Sequence, residues 1–62
     1  MKERYWLIAF KANKVIAQVA SSANLRDARR EATEALSAFN ADAVCVESLS
    51  GVTVHVARRA VA

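Results

Sequence analysis

A chain of 62 residues with 55% hydrophobic residues, one glycine, no proline and one cysteine reads as a single domain, residues 1–62. A domain this small buries only about 60% of its unfolded surface; one cysteine excludes an internal disulfide, and no Cys/His spacing suits structural zinc. Nine basic and six acidic residues give a net charge of +3, short of the dense cationic stripe of a dedicated DNA binder. Self-association is therefore the most available reinforcement. No segment approaches the roughly 20 apolar residues of a membrane span. With Met1 followed by charges, the reading expects no secretory leader and a soluble, cytoplasmic protein.

Taken in order, residues 4–10, RYWLIAF, form a β-branched and aromatic run too short for an amphipathic helix. KANK and then VIAQVA follow, so Ala12-Asn13 predicts a two-residue hairpin turn in which Lys11 pairs with Lys14 and Phe10 with Val15. Regular pairing then sets Ile8 opposite Ala17 and Trp6 opposite Val19. Trp6, Ile8, Phe10, Val15, Ala17 and Val19 form the better core face of this hairpin.

SSAN breaks the pattern and leads into NLRDARREATEALSAF, residues 24–39. Leu25, Ala28, Ala32, Ala35, Leu36 and Phe39 recur at helical steps and share one face. Asn24 is a good N-cap with Asp27 three residues on, and Asn40 suits a left-handed residue at the helix end. On the outer face Arg30–Glu34 is the cleanest of the expected ion pairs.

DAVCVESLSGVTVHVARR, residues 42–59, reads as a second hairpin with Gly51 in its turn. A two-residue turn would bury Glu47. A three-residue loop, Leu49-Ser50-Gly51, with Gly51 left-handed in a G1 bulge, pairs Ser48 with Val52 and sends Val44 and Val46 inward. That register places Cys45 opposite His55, with Glu47 along the same face.

The expected architecture is α+β: ββαββ, a four-stranded antiparallel sheet with one helix packed on one face. Strand orders 2-1-3-4 and 1-2-4-3 both satisfy it. One helix leaves the other sheet face bare, expected to hold Tyr5, Leu7, Ala9, Ile16, Cys45, Thr53 and Ala57. A face so apolar suggests a homodimer or partner interface, Tyr5, Leu7, Ile16, Cys45 and His55 being its candidate residues; tolerated exposed surface is the alternative.

No cofactor is expected, and no catalytic or metal motif is present. A Cys45–His55 pair near Glu47 is the raw material of a thiol nucleophile, and two copies of it across a dimer could ligate zinc. Neither reading has a pocket or an oxyanion loop behind it, so a non-enzymatic protein is expected. Lys11, Lys14, Arg58 and Arg59 should meet at one end of the sheet, relieved mainly by Asp42. They are candidates for binding phosphate or an acidic protein, or else solvated strand ends that keep the edges soluble.

The element order, with the helix entry SSANLRDARR and the turn VCVESLSGVTV, resembles small phage-encoded anti-CRISPR proteins that act on type I surveillance complexes. The resemblance implies a non-enzymatic inhibitor in the bacterial host cell. It would bind Cas subunits and block target DNA binding. Many such proteins are acidic and this chain is basic, so contact with an RNA-bearing groove or an acidic Cas surface replaces DNA mimicry. The alanine-rich run REATEAL is also similar to HicB-type antitoxins, which implies toxin neutralisation. A small nucleic-acid-binding regulator is the remaining alternative.

Overall fold

The computed structural model describes residues 4–59. Its elements are β1 (Tyr5–Lys11), β2 (Lys14–Ser21), α1 (Leu25–Ala38), β3 (Ala43–Ser48) and β4 (Thr53–Arg58). All strand neighbours are antiparallel in the order β2-β1-β3-β4, and α1 lies over β1, β3 and β4. The expected ββαββ architecture is present, and of the two admissible strand orders the chain adopts 2-1-3-4.

Local signals explain the ends of the elements. The Asn24 side chain accepts a hydrogen bond from the Asp27 amide at 2.9 Å, closing the first turn of α1. At the other end Asn40 is left-handed (φ 51°) and the Ala41 amide donates to the Leu36 carbonyl, a Schellman ending. The Arg30–Glu34 pair does not form; Arg26 and Arg30 both turn to Asp27, at 3.7 and 3.6 Å. Glu31 instead accepts from the Ser21 hydroxyl at 2.6 Å, tying the end of β2 to the helix.

Both hairpin turns form as read. Lys11 pairs with Lys14 around Ala12 (φ 51°) and Asn13 (φ 64°), the two positive φ values of a type I′ turn. Asparagine tolerates that conformation, whereas alanine is strained by roughly 1 kcal/mol. Ala12→Asn is therefore expected to raise stability by about 0.5–1 kcal/mol, measurable as a higher urea midpoint at unchanged m. In the second hairpin the Ser48 amide donates to the Val52 carbonyl at 2.8 Å and Gly51 is left-handed (φ 92°), as the three-residue loop requires.

The registers beyond the turns differ from expectation. β2 carries a bulge at Ile16, so Ile8 pairs with Gln18 and Trp6 with Ala20. β4 carries a bulge at Val54, so Cys45 pairs with Val56 and Val46 with His55. An extra residue in one strand exchanges the faces of everything past it.

The face of β1 turned to the helix is also the opposite of the one expected. Leu7 and Ala9 are buried with Val44, Val46 and Ala57 against Ala28, Ala32, Ala35 and Ala41, and Tyr5 packs beside them. Trp6, Ile8 and Phe10 point away. The physical reason is the alanine stripe of α1: it draws the helix close to the sheet and favours compact residues such as Ala9, Val44, Val46 and Ala57 beneath it, with Tyr5 packed at their side. The largest fully buried side chains are valines, Val44 and Val46. Leu25 and Phe39, on the apolar face of the helix pattern, remain exposed at its two ends, Leu25 as the first helical residue and Phe39 as the C-cap.

Candidate functional site

Two surfaces remain after the core is closed. The first is the end of the sheet where β1 stops, β2 begins and β4 stops. Lys11 pairs with Lys14, Phe10 with Ala43 and Ala43 with Arg58, so these three cations share one end as expected. Asp42 ties that end together. Its carboxylate accepts from the Ala12 amide at 3.0 Å, its amide donates to the Phe10 carbonyl at 2.8 Å, and its carbonyl accepts from the Arg59 amide at 3.0 Å. Among the described residues Lys11, Lys14 and Arg58 are exposed and make no ion pair.

Arg59 departs from the expected cluster. Its Nε donates to the Ala41 carbonyl at 3.1 Å, and its NH2 to the Leu36 carbonyl at 3.2 Å and the Asn40 Oδ1 at 3.0 Å. Helix α1 has no basic residue in its last turn, and Arg59, just past β4, supplies the cation there. Its guanidinium is a helix cap. This role escaped the sequence reading, although a helix lacking a C-terminal cation was a usable signal.

The second surface is the face of the sheet turned away from α1. Across its rows lie Ala20, Trp6, Glu47 and Thr53, then Gln18, Ile8, Cys45 and Val56, then Val15, Phe10, Ala43 and Arg58. The expected dimer set does not form one surface. Tyr5 and Leu7 lie under the helix, His55 is beside Val46 on the helix side, and Ile16 occupies the β2 bulge; only Cys45 is on the open face.

The bulge at Val54 also separates Cys45 from His55, placing them on opposite faces of the sheet. The thiol–imidazole pair, catalytic or zinc-binding, is lost with that register. Burial pushes the Cys45 thiol up, Glu47 beside it pushes it further, and Arg58 partly offsets both. A raised folded-state value favours the neutral thiol. The linked stability is thus present below the unfolded thiol's pKa and disappears as pH climbs through the folded value. Iodoacetamide at pH 8 is expected to alkylate Cys45 several-fold more slowly than in the urea-unfolded chain. Equal rates would contradict that environment.

No described helix is long and apolar enough to cross a membrane, and no cavity opens among the described residues. No family model, curated protein or solved structure significantly matches the chain.

Proposed function

We propose that this chain is a non-enzymatic binding protein that sets its cationic sheet end against an acidic surface of a larger nucleoprotein. The observation carrying this reading is the end defined by Lys11, Lys14 and Arg58. These are three exposed cations without ion pairs among the described residues, Lys11 and Lys14 flanking a turn fixed by Asp42 and Arg58 closing β4 at the same end. In its narrower form, suggested by the ββαββ order and the resemblance given above, the protein inhibits a type I CRISPR–Cas surveillance complex by obstructing target DNA.

The test uses Lys11→Glu/Lys14→Glu, which leaves the Arg59 cap and the open face intact. With a purified type I complex, wild type is expected to lower target DNA binding and the double variant to lose that effect. Equal inhibition by both would dismiss the cationic end as the contact, and no inhibition by wild type would dismiss the CRISPR form.

The same unpaired cations favour a second reading, direct binding of nucleic acid by a small regulator. Two or three phosphate contacts predict a log–log salt slope of about −2 to −3 on duplex DNA. A flat salt response would reject it.

A further inference from the structure

The fold places its largest apolar side chains outside its core. The core holds alanines, two valines and Leu7, with Tyr5 and Leu36 packed against it, while Trp6, Ile8, Phe10, Val15 and Val56 occupy the open face. A face of this composition in so small a domain is an association surface.

From the area and charge of that face we infer that its occupant is a second copy of this chain, packed face to face about a two-fold axis that reverses strand direction. Four strands at about 4.8 Å spacing and six residues at about 3.3 Å give a flat footprint of about 19 by 20 Å. Side-chain relief raises this to roughly 600 Å² of accessible surface per copy, the lower bound of a specific interface. The charges select the symmetry. Within the strands this face carries one acid, Glu47, in the Trp6 row and one base, Arg58, in the Phe10 row at the opposite end. Arg4 lies just outside the Trp6 row, before β1 begins. A two-fold axis lying across the strands sets each Glu47 over the end that bears the partner's Arg58. An axis along the strands would instead bring like ends together. Ile8 and Cys45, adjacent on the two central strands, then sit at the middle of the interface.

This inference shares Arg58 with the function proposed above, but Lys11 and Lys14 lie at the hairpin tip and off the open face, so the Lys11→Glu/Lys14→Glu test can fail without touching it. Sedimentation equilibrium of the full chain from 1 to 200 µM tests it. A mass rising to twice 6.7 kDa is expected, and a monomer at 200 µM overturns the proposal. Ile8→Glu should weaken association at least tenfold with an unchanged far-UV spectrum; a folded variant that dimerises as tightly as wild type places the interface elsewhere and overturns it. Should that variant fail to fold, Cys45 in wild type reports instead. Its N-ethylmaleimide rate should fall at least fivefold between 1 and 200 µM, and a constant rate counts against the interface. Glu47→Arg should weaken the dimer and Glu47→Arg/Arg58→Glu restore it; failure of the swap to restore it rejects the strand-reversing symmetry.

Discussion

Ala32→Leu is expected to remove about 2–3 kcal/mol of stability, read from urea unfolding followed by far-UV circular dichroism. Ala32 is 0% exposed at the centre of the alanine stripe, with Ala28 and Ala35 on either side and the sheet beneath. A leucine there adds three heavy atoms where backbone and sheet are already close. The helix must lift from the sheet or the new side chain must leave its rotamer, and overpacking of this kind costs about 1–3 kcal/mol. For 62 residues, total stability is on the order of 3–9 kcal/mol, so the loss is a large share. Ala38→Leu, on the same helix but exposed, should change stability by less than about 0.5 kcal/mol. If both substitutions are neutral, the close approach of α1 is wrong.

Arg59→Met should cost about 1–2 kcal/mol in the same assay, because it strips the helix end of three hydrogen bonds from one guanidinium. The apolar stem is kept, so the loss reports the charged head. Arg59→Lys is expected to recover little, since a single ammonium cannot reach the Ala41 and Leu36 carbonyls and Asn40 Oδ1 in the geometry of a planar fork. Arg58→Met, one residue earlier, carries no such bonds and should stay within about 0.5 kcal/mol. Equal effects at 58 and 59 would mean that the cap contributes nothing.

The sequence made the turns and caps of this fold legible, because their signals are local. Asn13, Asn24, Asn40 and Gly51 act within three or four residues of themselves, and each behaves as its chemistry favours, with Ala12 drawn into the turn at a cost. The need to keep Glu47 out of the core also chose the correct three-residue loop.

Which face of β1 meets the helix was harder to read, because Tyr5 to Phe10 is apolar at every position and has no alternation to follow. Bulk favours Trp6, Ile8 and Phe10 as the buried set, and bulk points the wrong way. The decisive information was in the helix: a stripe of alanines demands small partners, and Leu7 and Ala9 satisfy it where Trp6 and Phe10 do not. The bulges at Ile16 and Val54 left no mark, since neither position holds glycine or proline, and the one at Val54 alone moved Cys45 away from His55. At the candidate site the cationic end was foreseen through Lys11, Lys14 and Arg58, while Arg59 belongs to the helix.

Those two irregularities fall on the strands that bound the sheet, one on each rim. A smooth rim is a template onto which another chain can hydrogen-bond, and repetition of that step makes fibres. With both rims kinked, ribbon-like growth is blocked on either side. An eight-residue border as greasy as Lys14–Ser21 can then remain uncovered in a concentrated solution without seeding polymer.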